Sequence, residues 1–77
     1  MQAEQLAKVF GENVRRRRGE LKLSQQALAE KSKIPQPDIS EIEQGKRPPN
    51  LATIAKIAEG LGIPPSQLLS LETLAAI

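Results

Sequence analysis

Residues Ser24 to Gly45 read "SQQALAEKSKIPQPDISEIEQG", and the two prolines inside the segment allow two interpretations. Pro35 and Pro37 could begin an unstructured linker, or they could form a sharp turn that feeds the first turn of a new helix. Proline is tolerated in a first helical turn because the N–H it lacks would have no intrahelical acceptor there. Pro35 also pushes Ile34 away from helical backbone angles, which ends whatever helix precedes it. Asp38 then puts a carboxylate near the positive end of the new helix dipole. Upstream, Ser24 is a good N-cap for a helix that turns Leu28 and Ala29 inward. Downstream, Ile39 and Ile42 stand at i and i+3, and Gly45 is the residue type that usually follows a helix end. The segment therefore reads as two short helices joined by a tight turn, the second about eight residues long.

Before it, Leu6, Phe10, Val14 and Leu21 recur at helical intervals from about Ala3 onward. Gly11 lies inside that stretch and leaves open a short leading helix followed by a second one from Glu12. The run Arg15 to Arg18 spreads around a helix axis at about 100° per residue, so the four cannot share one partner. Arg18 falls at the edge of the apolar stripe, four residues after Val14, while Arg15 and Arg16 point outward. After the pair of helices comes the basic connector "KRPPN", in which Asn50 caps a further helix with Leu51, Ile54, Ala55, Ala58 and Leu61 on one face. Gly62 ends that helix. Pro64 and Pro65 open a last leucine-rich segment expected to continue helically to the C-terminus.

Composition narrows the class. Seventy-seven residues with 39% hydrophobic content and a net charge of +2 make one small globular domain. Phe10 is the sole aromatic, so Leu, Ile, Val and Ala must fill the core, which suits an all-α bundle. With no Cys there is neither a disulfide framework nor a thiolate metal site. With no His, Cys, Tyr or Trp the acids and bases are carboxylates, lysines and arginines, which argues against an enzyme, and no metal, cofactor or small-molecule ligand is expected. No apolar run approaches the roughly 20 residues of a membrane span. The N-terminus lacks a signal-peptide pattern, so a cytoplasmic location is expected.

Two short helices around a tight turn, the second polar on its outer side, form the helix-turn-helix arrangement. The stretch "LSQQALAEKSKIPQPDISEIEQGKRPPNLATIAKIAEGLG" also resembles the phage-repressor and Cro type of helix-turn-helix domain, the XRE family. The resemblance runs from about Gly11 to Leu69. It rests on Ser24-Gln25 opening the scaffold helix, Leu28-Ala29 within it, Ile39 and Ile42 in the recognition helix, and Glu43, Gly45 and the basic connector after them. The size and the "LGIPPSQLL" ending resemble restriction–modification controller proteins as well, features shared by phage repressors and antitoxins.

The resemblance implies a five-helix, lambda-repressor-like bundle over residues 1–77 that binds double-stranded DNA, with roles for particular residues. Gln36, Pro37, Ser40 and Glu41 occupy the positions that face base edges in the major groove, where Gln suits adenine and Glu suits the cytosine amine. Gln25 matches a glutamine that donates to a phosphate from a helix start. Lys46 and Arg47 look like backbone clamps. Arg15 and Arg17 read equally as clamps or as solvated surface. Glu43 would be repelled by phosphates, and in the family its counterpart pairs with an arginine of the first helix. Counting back selects Arg18, the arginine already placed at the core edge, so an Arg18–Glu43 ion pair is expected.

Two departures stand out. Lys33 occupies a turn position where the family usually has glycine, and a left-handed backbone there would cost roughly 1 kcal/mol. Asp38, Glu41 and Glu43 make the recognition helix acidic, so binding should depend on dimerisation. Residues 64–77 are the expected dimerisation segment, through Leu68, Leu69, Leu71, Leu74 and Ile77, although the same leucines could close the monomer core instead. Two functions follow: a homodimeric regulator on a two-fold symmetric operator, or an antitoxin-like protein-interaction module whose DNA binding is secondary.

Overall fold

Helix α1, Ala3–Glu20, runs unbroken for 18 residues, straight through Gly11. The interruption considered there does not occur, because the glycine serves a close approach instead. A Cβ at Gly11 would collide with the backbone carbonyl oxygens of Ile42 and Glu43, the latter at 2.9 Å. The third helix can therefore lie almost directly on the α1 backbone. The structure, a computed structural model, describes residues 1–71, so Leu74 and Ile77 lie outside the described residues.

Three further α-helices follow: α2 over Gln25–Ser32, α3 over Gln36–Glu43 and α4 over Leu51–Leu61. Ser24 caps α2, its hydroxyl accepting from the Ala27 N–H at 3.0 Å, and Asn50 caps α4 by accepting from the Thr53 N–H at 2.8 Å. Lys33 closes α2 in the left-handed region with φ 59° and ψ 36°. Pro35 is the residue before α3 and Pro37 sits in its first turn, so the prolines form a turn and a helix start. Gly45 leaves α3 with φ 71°. The last segment does not form a fifth α-helix among the described residues. It makes a 3-10 helix over Pro65–Leu69 and then turns extended at Ser70.

Phe10, Val14, Leu28, Ile39, Ile42 and Ile57 form the centre of one core contributed by all four helices. Several expected stripes need correction. On α1 the buried residues are Ala7, Val9, Phe10, Gly11, Asn13 and Val14, whereas Leu6 and Leu21 are exposed. On α4 the inward row is Ile54, Ile57, Ala58 and Leu61, spaced i, i+3, i+4 and i+7. Leu51, at the first position of α4, is 84% exposed, and Ala55 is also exposed.

The most consequential correction concerns Leu68, expected at a dimer interface. It is fully buried in the monomer core, with Leu69 packed partly against the same cluster. The cause lies on α1. Asn13, itself fully buried, donates through its side-chain amide to the carbonyls of Leu68 at 2.8 Å and Ser70 at 3.0 Å. Those two bonds satisfy carbonyls that the short 3-10 helix leaves open, and they hold Leu68 in the core cluster that also contains Phe10 and Val14. Burying one leucine fully contributes roughly 1.5–3 kcal/mol, a large share of a small domain's stability.

The glycines of α1 give a direct test of this packing. Gly11→Ala should lower the free energy of urea unfolding by about 2 kcal/mol or more, because the obstructing atoms are backbone. Gly19→Ala meets nothing within 4 Å and should leave stability unchanged or raise it by up to about 0.5 kcal/mol.

Candidate nucleic-acid interface

Ile39 and Ile42 point into the core and fix the rotation of α3. At 3.6 residues per turn this sends Pro37, Ser40, Glu41 and Gln44 outward as one row. Pro37, Glu41 and Gln44 are exposed and Ser40 is half-buried. Gln44 was not among the expected site residues, although its place three after Glu41 and four after Ser40 carried the signal. Its side-chain N–H donates to the Ser40 hydroxyl at 3.0 Å, which ties the two polar tips together.

Behind that row lies the ion pair. Arg18 Nε donates to Glu43 Oε2 at 2.7 Å and Arg18 Nη2 donates to Glu43 Oε1 at 3.0 Å, a two-pronged contact in which the Glu43 side chain is only 4% exposed. Arg18 Nη1 also donates to the Leu23 carbonyl at 2.8 Å. One guanidinium thus joins α1, the approach to α2 and the end of α3. Its pKa is raised above the ordinary arginine value by the hydrogen bonds to Glu43, with burial acting against them and the carboxylate charge adding to them. A raised pKa on a cationic group stabilises the fold at every pH below the unfolded value and fades only above it. The arginine therefore stays charged across the working range.

Glu43 has a second donor. Gln25 Nε2 donates to Glu43 Oε1 at 3.1 Å, and Gln36 Nε2 donates to Gln25 Oε1 at 2.8 Å. Gln25, expected at a phosphate, is half-buried at the cleft beside α3 and bridges the buried pair to the first residue of α3. Gln36 is half-buried and lies at the edge of the outward row.

The basic residues separate by position. Arg15 shares a cleft with Glu12, Gln25, Ser40 and Gln44, beside the outward face of α3. Arg17 does not join it. It bonds Glu20 at 3.2 Å and lines a different cleft with Arg16, Ser66, Gln67 and Ser70. Two helix positions turn by about 200°, so Arg15 and Arg17 cannot serve one surface. Lys46 is exposed directly after α3, and Arg47 reaches back to Asp38 at 3.3 Å with both groups largely in solvent. That contact partly offsets the negative charge at the start of α3.

Comparison with known proteins agrees with this arrangement. The helix-turn-helix family model matches residues 14–68, the span from mid-α1 through Leu68. A transcriptional repressor of helix-turn-helix type, RghR of Bacillus subtilis, is 50% identical over 56 residues, covering 71% of this chain and 42% of the repressor. The immunity repressor of Bacillus phage phi105 is 36% identical over 64 residues, 83% of this chain and 44% of its own length. This chain thus spans less than half the length of those two repressors. The control protein C.BamHI of Bacillus amyloliquefaciens is nearer in size, 37% identical over 67 residues that cover 86% of this chain and 83% of that protein. Among solved structures, the restriction–modification controller protein C.AhdI of Aeromonas hydrophila superposes with a TM-score of 0.78 at 34% identity, over 80% of this chain and 94% of its own. The hypothetical transcription factor NHTF from Neisseria gives 0.82 at 30% identity, over 100% of this chain and 92% of its own.

Breaking the ion pair from either side leaves a charge without its partner. Arg18→Met and Glu43→Gln should each reduce unfolding free energy by about 3 kcal/mol. Arg18→Met combined with Glu43→Leu should recover part of that loss, since two apolar groups leave no buried charge. Chemical denaturation followed by far-UV circular dichroism measures all three.

Proposed function

This chain belongs to the XRE-type helix-turn-helix family, and from that membership we propose that it is a sequence-specific transcriptional regulator acting as a homodimer on a two-fold symmetric operator. The observation that carries the proposal is the outward row of α3, polar and free of core duties, held rigidly by Ile39, Ile42 and the Arg18–Glu43 pair and flanked by Arg15 and Lys46. In the bound state the row enters the major groove. Gln36, Pro37, Ser40, Glu41 and Gln44 meet base edges, while Lys46, Arg47 and Arg15 neutralise phosphates. We assign the whole of residues 1–77 to one DNA-binding domain that works in the cytoplasm.

One short helix reads few base pairs, and a net charge of +2 supplies little non-specific attraction. Two copies with half-sites about one helical turn apart supply the missing contacts. Because Leu68 is occupied within the monomer, the apolar surface for a second copy comes from leucines that remain exposed, among them Leu71 at 51% and Leu51 at 84%. The similarity to controller proteins of restriction–modification systems makes regulation of such a system the specific role we favour. The acidic groups Asp38 and Glu41 on α3 favour a second reading, an antitoxin-like module that binds protein first and DNA second.

Selection from random duplexes at moderate salt should enrich a two-fold symmetric motif. Sedimentation should show a mass that rises from monomer to dimer with concentration. No enrichment from folded protein would instead support the protein-interaction module. On the selected site, Lys46→Ala should weaken binding on all sequences and reduce the salt slope by about 0.9 per subunit. Glu41→Ala should change preference at a single base position.

A further inference from the structure

We propose that the cleft between α1 and the 3-10 helix is an anion site that takes the phosphoryl group of a small molecule, separate from the outward face of α3. Arg16, Arg17, Ser66, Gln67 and Ser70 line it, around a volume of about 320 Å³. Small-ligand clefts span roughly 300–1,000 Å³, so this one is large enough. Two guanidinium groups stand on the α1 wall, and a hydroxyl and a side-chain amide stand opposite on the 3-10 helix. None of the lining residues is a carboxylate, and none of them lines the cleft beside α3. Each arginine presents five N–H donors and no acceptor, so the complement of this wall is an acceptor-rich anion. A phosphoryl group is the small anion that guanidinium forks fit.

Arg16 is held in place from beneath. Asn13 spends both N–H groups on the carbonyls of Leu68 and Ser70, so its oxygen is the end that faces Arg16, and it accepts from Arg16 Nη2 at 3.2 Å. That bond orients an exposed guanidinium and uses one of its five N–H groups. Arg17 is arranged differently. Its Nη1 bonds Glu20 at 3.2 Å in a pair whose side chains are 32% and 51% exposed, whereas its Nε is buried with no hydrogen-bond partner among the described residues. A buried donor without an acceptor is unfavourable, and an exposed ion pair holds its partners weakly. Swinging the Arg17 head off Glu20 and onto a phosphate therefore loses little and gives the idle donor an acceptor. A ligand so placed touches α1 and the 3-10 helix together, and it stabilises the folded chain in which Asn13 joins them.

The test uses inorganic phosphate as the probe, titrated into the isotope-labelled full chain and compared with sodium chloride at equal ionic strength. Amide NMR shifts should saturate at Arg16, Arg17, Ser66 and Gln67 with a dissociation constant of about 1 mM. Phosphate at about ten times that concentration should raise Tm by about 5 °C or more. Arg16→Gln and Arg17→Gln should each weaken binding about tenfold. Glu20→Gln, which frees Arg17, should instead tighten it about two- to fivefold. Chloride that reproduces the shifts would overturn the proposal, as would shifts of equal size at Arg15, Lys46 and Lys56, since either reduces the effect to ion screening. Unchanged affinity in Arg16→Gln would overturn it too. A mixed-sequence DNA duplex is the last arm, and it should leave phosphate in the cleft. Displacement of phosphate by the duplex would assign the cleft to the DNA backbone and overturn the small-molecule site.

Discussion

A carboxylate almost wholly removed from water is stable only if a cation is held against it. Arg18 supplies that cation from α1, bonding Glu43 through two nitrogens and the Leu23 carbonyl through the third. Much of the rest depends on this contact. It pins the C-terminal end of α3 while Ile39 and Ile42 anchor the middle, and the Gly11 approach lets α3 lie near enough to α1 for the bonds to form. The outward face of α3 is then whatever the helical period leaves outside: Pro37, Ser40, Glu41 and Gln44. Rigidity at that face is bound to stability through the same side chains, so mutations far from the outward row reach it through Arg18 or Glu43.

The core around this contact is built without disulfides and with a single aromatic ring, so its closure matters more than in a larger domain. Asn13 performs that closure by binding two carbonyls of the C-terminal segment from within α1. The polar group is buried, but it is satisfied, and it replaces the intrahelical bonds that a 3-10 turn of five residues cannot make. The position of Leu68 follows from it. One end of α1 thus holds α3 through Arg18, and its middle holds the segment around Leu68 and Ser70 through Asn13.

Charge on the surface is distributed in the same economical way. Arg15 stands at the cleft beside α3, Arg17 is turned to another face and paired with Glu20, and Arg47 lies across Asp38. Four consecutive arginines therefore serve several different surroundings, as their angular spacing requires. The net charge of +2 and the acidic start of α3 give the molecule little bulk electrostatic attraction for a polyanion.

Local rules were enough for the turn and the helix limits. Ser24 and Asn50 as caps, Pro35 as a stop, Pro37 in a first turn and the eight-residue α3 all follow from backbone chemistry that acts within a few residues. The role of Arg18 was also readable, because its place at the edge of a stripe and the family pattern selected the same residue. Three features were decided only by tertiary structure. Gly11 resembles a helix break in one dimension and is a contact point in three, since the obstruction comes from the α3 backbone about 30 residues away. Leu68 resembles a leucine left over for a partner until Asn13, buried on α1, draws it inward. Gln25 resembles a free side chain at a helix start, yet Glu43 and Gln36 converge on it from another helix. In each case the deciding atom belongs to a distant part of the chain, and a pattern of neighbouring residues carries no information about what will be packed against it.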